Sequence, residues 1–414
     1  MNFENKNKKL MFVTVGTGKV GKDIAHGIFY SIKNQNADSL VLIASKTSSE
    51  ITFPFLKEML QGSGRQYNIE EKLFEEVDDF EKLHNNYLSL IKSYFKKGYS
   101  PQNIVVDYTS GTKAMSAALV SAALTAEVNT ITYIYGDRKE GRVQSGTERA
   151  SSITPTSIFT SKILNKFLDM FNNYQFDSAL SLLNDFELHP KFQKEVETLK
   201  SLSHLFSAWD KFDFKLSCSH LKEISHEQLS LFSLRKEFDK TYAPLLIKLN
   251  ENSLSLHMVN DLVFNAYRRF EEGKYDDAVA RLYRSIEMIG QIEFFNLFHC
   301  HTNDVILESL PDEARNYILK YKKSDQKQIK IALDDTFRIL AIVNNQKGVS
   351  YLKNITQFRK HLGKRNDSIL AHGKTPVSKD SFLEFYLFIT ELFNVGPKSK
   401  SNPDFSFPKI NITF

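Results

Sequence analysis

Four short runs of β-branched and aromatic residues fall in the first third of this chain: Leu10 to Val15 (LMFVTV), Ser39 to Ala44 (SLVLIA), Asn103 to Tyr108 (NIVVDY) and Asn129 to Tyr135 (NTITYIY). Near-continuous apolar runs of this length are what strands buried on both faces require. Between them the spacing turns helical over Lys22 to Lys33, Phe80 to Lys96 and Ala114 to Thr125. In the second of these, Leu83, Tyr87, Leu90, Ile91 and Tyr94 share one face, and Gly98 and Pro101 stop it. Strands that alternate with helices imply a mostly parallel, doubly wound sheet. After Thr160 the pattern is helical almost throughout. Amphipathic stretches are predicted over Phe159 to Leu183, Gln193 to Trp209, Leu229 to Leu249, Val259 to Glu272, Tyr275 to Phe298, Asp312 to Tyr321, Ile329 to Asn344, Val349 to Ala371 and Ser378 to Phe393. The tail Pro403 to Phe414 has strand character but two prolines, so it reads at best as an edge strand.

The expected fold class is therefore α/β plus all-α. A Rossmann-like domain over residues 1–155 precedes a helical connector over 156–255 and a helical bundle over 256–414. A length of 414 residues fits two or three domains, and 42% hydrophobic with 25% charged residues is the balance of a soluble globular protein. No stretch approaches the ~18 apolar residues that span a bilayer. Met1 to Leu10 is polar and lysine-rich and leads into a short apolar strand, unlike a secretory signal. A cytoplasmic protein without membrane contact is expected. The two cysteines, Cys218 and Cys300, are too far apart for a CxxC pair, which argues against a disulfide framework or a thiolate zinc site. A net charge of +5 permits an anionic partner without selecting one.

Gly16-Thr17-Gly18-Lys19-Val20-Gly21 fits GxGxxG directly after a strand and before a helix. Glycines there let backbone approach a phosphate, and the helix N-terminus offers unpaired N–H groups. A nicotinamide dinucleotide also needs an acid at the end of the second strand to hold ribose hydroxyls. That strand ends Ala44-Ser45-Lys46-Thr47, with no acid, although Lys46 would suit the extra phosphate of NADP. NAD(P), another phosphate-bearing nucleotide and a turn that binds nothing all stay open on this loop alone.

Asp107-Tyr108-Thr109-Ser110-Gly111-Thr112-Lys113 lies at the carboxyl end of a later strand and opens a helix. It lacks the Walker A spacing, but supplies three hydroxyls, a glycine, a lysine and a helix N-terminus, all suited to phosphate or ribose. Ligands of doubly wound sheets sit outside the carboxyl strand ends, where both loops fall. The physical reading stops at a phosphate-friendly rim. Here the sequence resembles CARF domains, the sensors of CRISPR type III accessory effectors, over roughly residues 10 to 150. Their late-strand motif is similar to D-Y-T-S-G-T-K, with Ser110 where many members have glycine. The resemblance implies a homodimer whose rims form one pocket for a cyclic oligoadenylate, tetra- or hexa-adenylate. Thr14, Gly16, Thr17, Gly18, Thr109, Ser110, Gly111, Thr112 and Lys113 would line it. Since some CARF domains cleave their own activator, Thr14, Thr17 or Lys113 would be placed to position a ring phosphate for that step.

Arg365-Asn366-Asp367-Ser368-Ile369-Leu370-Ala371-His372 sets an arginine and a histidine seven residues apart. If the helix continued, seven steps of ~100° would return His372 to within about 20° of Arg365, roughly 10 Å along. His361 and Ser368 would share that stripe, and Gly373, Lys374 and Pro376 would end it. Taken singly these residues read as a solvated face and a helix-end histidine that complements the dipole. Together they resemble the R-x(4–6)-H signature of HEPN ribonucleases, including the frequent Asn after the Arg. That resemblance implies metal-independent cleavage of single-stranded RNA at a site shared by two protomers, with a 2′,3′-cyclic phosphate product. His372 would transfer protons, Arg365 would stabilise phosphoryl charge and Asn366 would orient neighbouring groups. No resident cofactor or metal is implied, and His299, His301 and Asp304 show no familiar ligand spacing. Tyr275 to Glu287 resembles the opening helix of the HEPN-like domain. Its Arg281, Arg284 and Glu287 read as an intrahelical ion pair on a solvated face, with Arg284 pointing into an RNA groove as the alternative. Two competing functions have different requirements. A Rossmann oxidoreductase lacks the ribose-binding acid, and a non-catalytic sensor with an inert helical half would tolerate loss of Arg365 or His372.

Overall fold

The computed structural model describes residues 8–18, 20–139, 142–143, 146–251, 253–321, 329–371, 373–397 and 405–414. They form two compact units, one of residues 1–160 with 187–189, the other of 161–186 with 190–414.

The first unit is a doubly wound sheet. Its elements are β1 (Leu10–Val15), α1 (Gly21–Gln35), β2 (Ser39–Ala44), α2 (Lys46–Gly62), β3 (Asn68–Leu73), α3 (Phe80–Lys96), β4 (Ile104–Asp107), α4 (Lys113–Thr125), β5 (Thr130–Tyr135), the short pair β6 (Arg138–Lys139) and β7 (Arg142–Val143), and β8 (Arg149–Ile153). Strands run in the order β3-β2-β1-β4-β5-β8, all parallel except β8. Every residue of β1, β2 and β4 is buried, as their apolar runs require. Helices α3 and α4 cover one face, around Phe12, Val41 and Val106. Helices α1 and α2 cover the other, around Val13, Leu42 and Val105. The sequence pattern missed β3 and β8. Five of the six residues of β3 (NIEEKL) are charged or exposed, as the edge of a sheet allows.

The second unit is helical: α5 (Thr156–Asn172), α6 (Phe176–Asn184), α7 (Gln193–Asp210), α8 (Phe214–Glu223), α9 (His226–Leu231), α10 (Arg235–Glu237), a π-turn over Phe238–Tyr242, α11 (Ala243–Leu249), α12 (Leu256–Glu271), α13 (Tyr275–Phe298), α14 (Asp312–Tyr321), α15 (Leu333–Ile342), α16 (Gln346–Lys353), α17 (Ile355–Asn366) and α18 (Lys379–Phe393). Three segments predicted as single helices are broken, one of them between α16 and α17 at Asn354. Tyr174 at φ 61° separates α5 from α6, and Ser233 at φ 59° divides the stretch predicted over Leu229 to Leu249. Helices α12, α13, α15 and α18 surround a core that includes Leu282, Ile289, Phe337 and Phe385.

The tail forms no strand among its described residues. Residues 405–414 join no ladder, and Phe405, Phe407 and Ile410 are buried. Side chains take the place of a partner strand. Asn172 accepts from the Ile410 N–H at 2.8 Å and donates to its carbonyl at 3.0 Å, and the Tyr242 hydroxyl donates to the Ser406 carbonyl at 3.1 Å. No described helix is long and apolar enough to cross a membrane.

Candidate functional site

At the carboxyl end of β1 and β4, the two glycine-containing loops are tied to each other. The Gly16 N–H donates to Ser110 Oγ at 2.8 Å, and the Thr14 hydroxyl donates to the Ser110 carbonyl. The backbones touch: a Cβ on Gly16 would lie 2.8 Å from the Gly111 nitrogen, and one on Gly111 would lie 3.1 Å from Thr14 Cβ. Gly111 adopts φ 101°, a region that side chains avoid. Thr109 Oγ1 accepts the Ile134 N–H at 2.9 Å. Thr112 Oγ1 caps α4, accepting from Met115 at 3.2 Å, and donates to the Val77 carbonyl at 2.7 Å.

These bonds sort the nine predicted rim residues. Thr14 is fully buried, so its part is to fasten the loops rather than to meet a ligand. Thr109, Ser110 and Thr112 are likewise engaged internally. Gly18 and Lys113 are exposed and Thr17 is half-buried, which leaves these three on the open side. The N-cap of α1, Val20, supplies no side-chain bond to that helix's first amides. An anion can take such a place. Lys19 lies outside the described residues.

Asp107 belongs to this arrangement although the motif reading assigned it no role. It is fully buried, accepts the Thr109 N–H at 2.7 Å and receives the Ser31 hydroxyl. Burial pushes its pKa above the usual carboxylate range, against the pull of those bonds.

In the helical unit, Arg365 occupies the last turn of α17, which ends at Asn366 and not at Ala371 as predicted. The break between α16 and α17 at Asn354 also divides the predicted helix. Asn366, Asp367 and Ser368 are poor helix formers because their side chains compete for nearby backbone groups. The chain turns there. The Ser368 N–H donates to the Arg365 carbonyl at 3.1 Å, and the Ser368 carbonyl accepts from Ala371 at 3.0 Å and Gly373 at 3.1 Å. The Thr375 N–H reaches the Asp367 carbonyl at 2.9 Å. The helical arithmetic that aligned Arg365 with residue 372 thus does not hold; a turn, not two helical turns, carries the chain onward. His372 itself lies outside the described residues.

His361 is not on an exposed cationic stripe. It is buried and stacks between Phe385 at 5.0 Å and Phe388 at 5.4 Å, and burial pushes its pKa down, which favours the neutral ring. Arg365 is half-buried. Its guanidinium lies 4.6 Å from the centre of the Tyr283 ring, and Nη1 donates to Asn366 Oδ1 at 3.1 Å. No carboxylate among the described residues lies within ion-pair distance of it.

Around that ring, Arg284 pairs with Glu287 at 3.1 Å and with Gln291 at 3.1 Å, in the intrahelical manner read from the spacing. Arg281 instead pairs with Asp277 and Asn265. His299, His301 and Asp304 form a turn in which the Asp304 N–H donates to the His301 carbonyl at 2.9 Å and His301 stacks on Phe295.

The chain belongs to the CARF–HEPN accessory ribonucleases of type III CRISPR systems. Within that class it is of the Csm6 family: residues 159–243 match the model described as the Csm6 6H domain, and residues 250–396 match the Csm6 HEPN domain. Among solved structures, the chain is similar to one described as Enterococcus italicus Csm6 bound to cyclic hexa-2′-fluoro-hexa-dAMP. The TM-score is 0.59 at 13% identity, over 93% of each chain. At that identity the likeness concerns the fold. No curated protein matches.

Proposed function

We propose that the protein is a ligand-switched endoribonuclease: a cyclic oligoadenylate, tetra- or hexa-adenylate, binds the rim of the Rossmann-like unit in a homodimer, and single-stranded RNA is cleaved where two helical units meet. The observation that carries this reading is Arg365, an arginine without a carboxylate partner among the described residues, inside the region that matches the HEPN family. A guanidinium left uncompensated is available for bidentate bonds to a phosphate.

In the reaction, the ribose 2′-oxygen attacks the adjacent phosphorus as its proton is removed. The 5′-oxygen leaves with a proton delivered to it, giving a 2′,3′-cyclic phosphate and a 5′-hydroxyl without a metal or resident cofactor. His372 is the proton-transfer group, since an unperturbed imidazole titrates near working pH. Arg365 stabilises the phosphoryl oxygens and Asn366 orients the guanidinium it bonds. At the rim, Thr17, Gly18 and Lys113 are the accessible binding groups, with Thr14, Gly16, Thr109, Ser110, Gly111 and Thr112 setting the loop shape.

The test is cleavage of a fluorescent single-stranded RNA in EDTA, with each ring in turn and with none. Cleavage is expected with one ring only, and Arg365→Ala and His372→Ala are each expected to lose at least about a hundredfold in rate. Ring-independent cleavage would remove the sensor half of the proposal. Full activity in both variants would remove the nuclease half.

A further inference from the structure

Arg365 has found a ring. Its guanidinium sits over Tyr283 of α13 at 4.6 Å, while the nearest acid on that helix, Glu287, is already bound by Arg284 at 3.1 Å. The Tyr283 hydroxyl is also turned to Glu287, and burial raises its pKa, which keeps it neutral.

We propose that Tyr283 is the positioning residue of Arg365, an aromatic rest that fixes the plane of the guanidinium while leaving its charge and its N–H fork free for the phosphate. This rests on the reading of Arg365 as the phosphate-gripping group. A carboxylate in the same place would also hold the arginine. It would, however, occupy the donors the phosphate needs and cancel the charge that stabilises the transition state. A ring face attracts the cation through its quadrupole and meets the guanidinium side-on to its donors. Asn366 takes one N–H at 3.1 Å; five are present in all. Position is a demanding requirement, because a misplacement of about 1 Å in a reacting group can cost a hundredfold in rate.

The motif spacing could not have found Tyr283, which lies 82 positions before Arg365 in the chain and is brought to it only by the packing of α13 against α17. A partial signal was present: the segment Tyr275 to Glu287 resembles the opening helix of the HEPN-like domain, and the ring lies within it.

The experiment compares Tyr283→Phe, Tyr283→Leu and Tyr283→Met with Arg365→Ala, on the same RNA with cyclic hexa-adenylate and cyclic tetra-adenylate, reading kcat, KM and thermal midpoint. Tyr283→Leu and Tyr283→Met should lower kcat by about three- to tenfold, the size of a partly desolvated cation–π contact, with KM changed by less than about twofold. Tyr283→Phe should retain the parent rate, since the face and not the hydroxyl holds the cation. The two non-aromatic variants guard against one of them failing to fold. An inactive Arg365→Ala beside a folded, fully active Tyr283→Leu or Tyr283→Met would overturn the role of Tyr283 and spare that of Arg365. A Phe variant as slow as Leu would also overturn it. A fully active Arg365→Ala would instead overturn the reading on which the inference rests.

Discussion

Asp261 has almost no water to share its charge with. It is fully buried on α12, accepts the Trp209 Nε1–H at 3.1 Å and lies 3.9 Å from Arg268, whose own bond goes to Asp210 at 2.9 Å. Desolvation outweighs Arg268 and Trp209 and pushes its carboxyl up to about 7. The sign of the effect on stability follows. Below about pH 4 the group is protonated in both folded and unfolded chains. As pH rises toward 7 the unfolded chain releases this proton first, so stability is lost across that window, and above it the loss is constant. Asp261→Asn keeps an acceptor for Trp209 and removes the titration. It should flatten the pH dependence of stability between about pH 4 and 7. Chemical denaturation of both proteins at several pH values measures it; equal slopes would show that Asp261 is ionised throughout. Sequence offered no sign of this residue, because an acid on a helix reads as surface until the tertiary packing is known.

Among the elements, what the sequence made plain was periodicity, and what it hid was punctuation. β1, β2, β4, α3 and α18 lie where their patterns put them. The breaks at Tyr174 and Ser233 could not be read, since each is an ordinary residue held at positive φ by the packing around it. The end of α17 was partly legible in Asn366-Asp367-Ser368, but the R…H signature drew the helix onward through it. The tail segment was misread for a different reason: alternation mimics a strand wherever every second residue is buried, whatever it is buried against. Here Phe407 packs on Phe206 at 4.8 Å and Trp209 at 5.4 Å and lies 3.8 Å from the Arg268 guanidinium. Phe407→Ala should cost about 3–5 kcal/mol, as for other large aromatics removed from a core. It should also expose α7 to proteolysis. A loss under about 1 kcal/mol would mean the segment is not seated on these helices in solution.

At the scale of the molecule, each compact unit encloses its own core, so a lesion in one loop should stay near home. Gly111→Ala places a Cβ against Thr14 in a backbone region worth about 1–2 kcal/mol of strain. Hydrogen exchange should show lower protection in β1 and β4 and unchanged protection in α13 and α18. Uniform loss across both units would contradict the division. The class of fold was legible almost entirely, because buried parallel strands and amphipathic helices write different periods. The candidate site was legible as two motifs, but not as an arrangement: nothing in D-Y-T-S-G-T-K says that its hydroxyls mostly hold loops together, nor does R…H name the ring beneath the arginine. The contact between Gly16 and Gly111 has a last consequence, for how such a protein can diversify. A side chain at Gly16 would press on the backbone of the other loop, and one at Gly111 would press on Thr14 and strain its own. Neither glycine can be exchanged gradually. Lineages that alter this rim should therefore vary Thr17 and Lys113, while positions 16 and 111 stay fixed and Gly18, at φ 55° with Ile24 against it, changes little.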